Sequence, residues 1–167
     1  MGAAISSSVS VIAGQNLGVE RYDRVSDTCK WGLVFTLAIT AIPCSLAFFF
    51  PEMIMQLFTD KADVIAVGCG YLKISAITYF LVDITMALQG IPLAAGQTYI
   101  VTFTTILATC LVRVPLAYIL HSTKLGITGI WLSVTICQVV ANIFLVCYYL
   151  SGKWKIKNLI STYKDTE

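Results

Sequence analysis

Asp83 is the residue from which chemistry can first be argued. It is the sole charge between Ile74 and Val112. A carboxylate at the centre of so apolar a stretch costs about 2–3 kcal/mol or more to insert into a bilayer, and such residues are kept for a pathway or a partner. Tyr79 precedes it by one helical turn, so a hydroxyl shares a helix face with the carboxylate. The pair can form part of a proton or sodium site, because apolar surroundings disfavour a bare carboxylate and favour its union with a proton or a cation. The opposing reading is a permanent ion pair, for which Arg113 is the partner. If the chain reverses near Gln97, Asp83 and Arg113 both lie about 21–24 Å from the turn and fall at one depth on antiparallel helices. Arg113 then neutralises Asp83 or holds it ionised and tunes it toward a cation; alternatively it snorkels outward. Gln89 and Gln138, with Asn142 four residues beyond the latter, can line a substrate cavity or bond across helices. Lys73 lies about 15 Å along the helix from Asp83 and is expected at the outer interface. His121, the single histidine, stands at a helix end.

These side chains need membrane helices to hold them. Of the 167 residues, 57% are hydrophobic and 12% charged, against about 45–50% and about 25% in soluble domains. Mean hydropathy is +0.82. No water-soluble shell can be built from so few charges, which excludes secreted, disordered and nucleic-acid-binding classes. The spans are expected at about 2–17, 31–50, 64–95, 99–120 and 127–150, with 151–167 as a tail. The first is truncated: at helical rise it covers about 24 Å, short of the roughly 30 Å hydrocarbon core. The polar stretch from Gly18 to Lys30 is expected to form a separate short helix at the interface. Pro43 should kink the second span, Asp60 is placed to cap the third, and Tyr148-Tyr149 suit an interfacial aromatic belt. The fold class is thus all-α, a polytopic transmembrane bundle of four full spans and a partial one.

Orientation follows from the basic residues of alternate loops. Arg21, Arg24 and Lys30, with Lys153, Lys155, Lys157 and Lys164, fall on one side; Lys61 and Lys124 fall on the other. The positive-inside bias puts the first group, and the C-terminus, in the cytoplasm, in a chain embedded in the cell membrane. The six cysteines lie ten or more residues apart and mostly in apolar runs, which is neither a disulfide framework nor a metal-binding spacing. Residues 2–14 carry no Lys or Arg, unlike a cleavable signal peptide. No nucleophile, base and orienter set, no phosphate loop and no ligand cluster supports an enzyme or a bound cofactor.

Several stretches carry a resemblance. Ala13-Gly14-Gln15-Asn16-Leu17-Gly18-Val19-Glu20-Arg21-Tyr22-Asp23-Arg24 is similar to the A-Q-N-x-G-A-G-x-x-x-R-A segment that follows an even-numbered helix in the MATE family, the multidrug and toxic compound extrusion transporters. Leu57-Phe58-Thr59-Asp60, Ala94-Ala95-Gly96-Gln97-Thr98, Arg113-Val114-Pro115-Leu116-Ala117-Tyr118 and Gly126-Ile127-Thr128-Gly129-Ile130-Trp131 then follow in the order of that family's C-terminal lobe. The chain departs at Val19-Glu20, where the family has Ala-Gly, and at Ala94 or Ala95, where an Arg is common.

The resemblance implies twelve helices in two lobes of six, of which this chain corresponds to the end of helix eight through helix twelve. Helix seven and the N-terminal lobe would then be partners outside it. It also implies export of small organic cations or other amphipathic compounds in exchange for a proton or Na+, with no other cofactor, and places Asp83, supported by Tyr79, near the tenth-helix aspartate of the cation site. Alternating access rocks one repeat against another, so a single lobe does not transport alone. The alternative functions are export of lipid-linked or polysaccharide precursors within the same superfamily, a small membrane interaction protein that transports nothing, or a non-functional fragment.

Overall fold

A computed structural model describes residues 2–155. It is a bundle of α-helices: α1 (Gly2–Gly18), α2 (Tyr22–Phe49), α3 (Pro51–Gln56), α4 (Ala62–Ala94), α5 (Thr98–Ile106), α6 (Val114–His121) and α7 (Ile127–Leu150). A π-helical stretch, Leu107–Arg113, joins α5 to α6 in one helical rod, and a single 3-10 turn, Lys153–Lys155, follows α7. Four of these, α2, α4, the α5–α6 rod and α7, are long and apolar enough to cross a membrane. The chain is a transmembrane helix bundle. Residues 156–167, which include Lys157 and Lys164 of the expected tail, lie outside the described residues.

The helices pack as they do because their inward faces are small. On α7 the buried residues Gly129, Ser133, Cys137, Ala141 and Leu145 recur every four positions, and on α1 Gly2, Ser6, Val9, Ala13 and Leu17 do the same at three or four. Large side chains such as Ile42, Phe49, Leu111 and Ile143 point outward. Lipid is as apolar as leucine, so helices in a bilayer gain by bringing backbones close rather than by burying bulk. At the closest approach Val9 of α1 is wedged between two glycines. A Cβ on Gly32 of α2 would stand 2.5 Å from Val9 Cγ2, and one on Gly90 of α4 would stand 2.8 Å from Val9 Cγ1.

The longest helix is also the hub. α4 spans 33 residues, about 50 Å at helical rise, and packs against α1, α2 and α7, while the α5–α6 rod lies along α7. The main core gathers at one end, where Leu17, Val25, Cys29, Ile91, Leu145 and Trp154 meet.

Two turns at that end have the same design. The amide of Gln97 donates to the Pro92 carbonyl at 2.8 Å and that of Gly96 to Leu93 at 3.1 Å; likewise Arg21 donates to Asn16 at 2.9 Å and Glu20 to Leu17 at 3.1 Å. Each is a Schellman closure, which needs a left-handed residue at its penultimate position. Gly96 supplies it at φ 70°, whereas α1 ends on Glu20 at φ 58°.

The helix boundaries correct three expectations. The polar stretch from Gly18 to Lys30 is not a separate interfacial helix, because α2 starts at Tyr22 and runs on through Pro43. Its polar side chains point outward from a continuous helix, with Lys30 and Asp27 3.7 Å apart on the exposed face. Nor does Asp60 cap α4: the capping position is Lys61, with no side-chain cap bond, and Thr59 Oγ1 accepts the Lys61 amide at 3.3 Å instead. The rod expected at 99–120 is α-helical only at its two ends. Pro115 has no N–H, and its ring collides with the carbonyl one turn earlier; the wider π-turns immediately precede it.

Candidate functional site

Asp83 projects from two-thirds of the way along α4 toward α1 and α2. Its Oδ2 accepts a hydrogen bond of 2.5 Å from the hydroxyl of Thr40 on α2, and its Oδ1 faces the backbone of Gly2 so closely that a Cβ there would collide with it. The approach of α1 and α2 explains why the sequence can place a carboxylate here. Thr40 closes a stripe of small buried residues on α2, Gly32, Thr36 and Thr40, which lets α4 come near enough for a hydroxyl to reach across. The carboxylate is part-buried and keeps one oxygen without a donor among the described residues. One oxygen held and one open is an arrangement that can take up a proton or a small cation.

Arg113 is not the partner of Asp83, which corrects the ion-pair reading. Among the described residues the salt bridge is that of Lys30 with Asp27. The equal-depth argument treated sequential antiparallel helices as side-by-side neighbours. Here α7 packs against both α4 and the rod that bears Arg113, and Asp83 bonds instead to Thr40 of α2. Arg113 ends the π-helical stretch and lines a cavity of about 360 Å³ with Tyr71, Ser75, Tyr79 and Trp131.

Tyr79 therefore stands with Arg113 rather than with Asp83. It is 59% exposed and no hydrogen bond joins it to the carboxylate among the described residues. One helical turn put both residues on neighbouring positions, but the 40° of rotation between i and i+4 is enough to turn the phenol outward. Asn142 is a cross-helix link: its Oδ1 accepts from Thr85 at 3.0 Å and its Nδ2 donates to the Leu81 carbonyl at 3.0 Å, tying α7 to α4. Gln89 and Gln138 are part-buried, and the side-chain hydrogen bonds of the described residues include none of theirs. Lys73 and His121 are exposed, and no group of His, Cys, Asp or Glu among the described residues could hold a metal ion.

Sequence reasoning missed Thr40, and Gly2 with it. The signal was present in the four-residue spacing of Gly32, Thr36 and Thr40 inside an uncharged run, a small-residue helix contact with polar members. It also missed the closure of the basic end. There the indole of Trp154 stacks on Tyr149 with centroids 5.8 Å apart and meets Tyr22 edge-on at 6.2 Å. Tyr148 donates to Gln97 at 2.5 Å, and Gln97 in turn donates to the Lys153 carbonyl at 3.3 Å.

Comparison with known proteins agrees with the geometry. The family model described as MatE matches residues 1–119. The chain is 26% identical over 157 residues to the probable multidrug resistance protein YoeA of Bacillus subtilis, covering 93% of this chain and 34% of that protein. It is 22% identical over 158 residues to the probable multidrug resistance protein NorM of Thermotoga maritima, covering 94% and 34%. It is 20% identical over 151 residues to multidrug and toxin extrusion protein 1 of Oryctolagus cuniculus, covering 90% and 27%. The chain thus spans about a third of the length of the relatives it matches.

Proposed function

This chain belongs to the MatE family, and on that footing we propose that it forms part of the C-terminal lobe of a cation-coupled antiporter that exports drugs or other organic cations. Asp83 is the residue that takes up and releases the coupling proton or sodium ion. The observation that carries this reading is its setting: a carboxylate within a membrane helix, two-thirds of the way along α4, with Thr40 Oγ1 2.5 Å from one oxygen. An intramembrane carboxylate with so slight a neutralising shell is a working group rather than a structural one. The names of the relatives, which speak of multidrug resistance and of toxin extrusion, support the substrate class.

In this reading the basic end faces the cytoplasm. Arg21 and Arg24 flank the start of α2, and Lys153 and Lys155 follow α7; Tyr22 touches Lys155, so these basic residues gather at one end of the bundle. That asymmetry supports a cytoplasmic placement in the cell membrane. The remaining helices of the transporter would complete the cavity against α1, α2 and α4.

The test is direct. In cells expressing a full-length transporter that contains this chain, Asp83→Asn should abolish efflux driven by a proton or sodium gradient, and the purified Asp83→Asn transporter should lose cation binding measured with 22Na+ or by proton release. Efflux and cation binding both equal to wild type in Asp83→Asn would remove the coupling role.

A further inference from the structure

We infer that the cavity around Arg113 is a binding site for an organic anion, a molecule carrying one carboxylate or phosphate group on an apolar body. The starting point is an exposed arginine with no salt bridge among the described residues. Arg113 stands eight residues before the end of the α5–α6 rod, about 12 Å inside it at helical rise. A guanidinium at that depth is costly unless paired. None of the residues lining its cavity is acidic, and Asp83, one helical turn beyond Tyr79, is bonded to Thr40 of α2.

The rest of the cavity supplies what an anion with an apolar body requires. Guanidinium offers five N–H donors in a planar fork that matches a carboxylate or phosphate edge. Ser75 and Tyr79 place two hydroxyls in the same space, and neither side chain has a hydrogen bond to another described residue. Tyr71 and Trp131, edge to face with centroids 5.3 Å apart, form an aromatic wall. At about 360 Å³ the space falls within the range of small-molecule pockets, about 300–1,000 Å³. The backbone is also built for it: the π-turns before Pro115 present Arg113, and π-helical turns of this kind recur at functional sites. The inference does not depend on the coupling role of Asp83, which is not among the residues lining the cavity.

Two sources share this chemistry, a soluble organic acid and the phosphate of an anionic lipid. The experiment uses the purified chain in phosphatidylcholine nanodiscs and equilibrium binding of tritiated 2-naphthoate, with its uncharged analogue 2-naphthalenemethanol as control and empty nanodiscs as background. Saturable binding of 2-naphthoate is expected, weakened about tenfold or more in Arg113→Gln and also, by a smaller factor, in Arg113→Lys, which keeps the charge but loses the planar fork. The alcohol should bind wild type and Arg113→Gln alike. Replacing part of the lipid by phosphatidylglycerol separates the sources: displacement of 2-naphthoate identifies the lipid phosphate as the ligand, and undiminished binding identifies a soluble anion. Should Arg113→Gln fail to fold, Arg113→Lys, Ser75→Ala and Tyr79→Phe carry the test. The inference is overturned if 2-naphthoate shows no saturable binding, or if its affinity is unchanged in every variant that folds.

Discussion

Thr40 and Asp83, 43 residues apart in the chain, meet at 2.5 Å between α2 and α4. The hydroxyl is the donor and the carboxylate the acceptor, so the same contact joins two helices, while the other oxygen, which faces Gly2, has no donor among the described residues.

Separating those two roles gives the first prediction. Asparagine keeps a carbonyl oxygen for Thr40 to donate to, so Asp83→Asn should leave thermal stability within about 1 kcal/mol of wild type while losing coupling. Thr40→Val removes the donor and should cost about 1–2 kcal/mol, with Thr40→Ser restoring it. Thermal melts of the purified variants, set beside gradient-driven efflux, read both effects. Equal destabilisation by Asp83→Asn and Thr40→Val would mean the carboxylate is structural.

The wedge of Val9 between Gly32 and Gly90 yields a double-mutant test. Gly90→Ala inserts a methyl group 2.8 Å from Val9 Cγ1, and overpacking of this kind costs about 1–3 kcal/mol. Shortening the wedge with Val9→Ala removes Cγ1 but leaves the Ser6 carbonyl oxygen and Val9 Cβ each 3.0 Å from the new methyl group, so it should recover part of that loss, giving a coupling energy of about 0.5–1 kcal/mol. Strict additivity of the two changes in detergent melts would argue against the contact.

Asn142 should behave as a link between helices. Asn142→Leu removes the bonds to Thr85 and to the Leu81 carbonyl and should lower stability by about 0.6–2 kcal/mol. Transport per folded molecule should stay as it was. A changed substrate profile at unchanged stability would instead put this amide in the substrate cavity.

The end of α1 holds a correctable strain. Glu20 occupies the left-handed position at φ 58° that Gly96 fills at φ 70° in the matching turn. A side chain there costs about 1–2 kcal/mol, partly offset by the greater freedom glycine has in the unfolded chain. Glu20→Gly should therefore stabilise the protein by up to about 1 kcal/mol, and Gly96→Ala should destabilise it. A lower melting temperature for Glu20→Gly would contradict this.

Much of the architecture was legible because apolar run length and hydrocarbon thickness are one constraint. The charge-free stretches from Trp31, Ile84 and Leu125 onward fall inside α2, in α4 and the rod, and around α7, and the all-α class followed from them. Boundaries within polar stretches were not legible in the same way. Nothing in Asp27-Thr28-Cys29-Lys30-Trp31 breaks a helix, so the amphipathic first turns of α2 read as a separate element only because their charge differs.

The site divides along a similar line. That the carboxylate of Asp83 would need a polar neighbour could be read from its cost in a bilayer. Its partner could not, because the choice between Thr40 and Arg113 rests on which helix lies beside α4, and α7, later in the chain, takes the place that the simple hairpin picture gave to the rod. The π-turns were hidden as well; Pro115 announced a disruption, but not that it would be absorbed by widening the helix over Leu107–Arg113.

The closure of the basic end has a consequence for biogenesis. Tyr22, at the start of α2, donates to the Lys155 carbonyl at 3.5 Å across 133 positions of chain, and the Trp154 ring that covers it emerges only after α7. Domains form in the order of synthesis, so α1, α2 and α4 enter the bilayer before the residue that seals their ends exists. Sealing follows the insertion of α7, and a polypeptide stalled short of Trp154 would hold its early helices inserted but unlatched, with Tyr22 still turned to water.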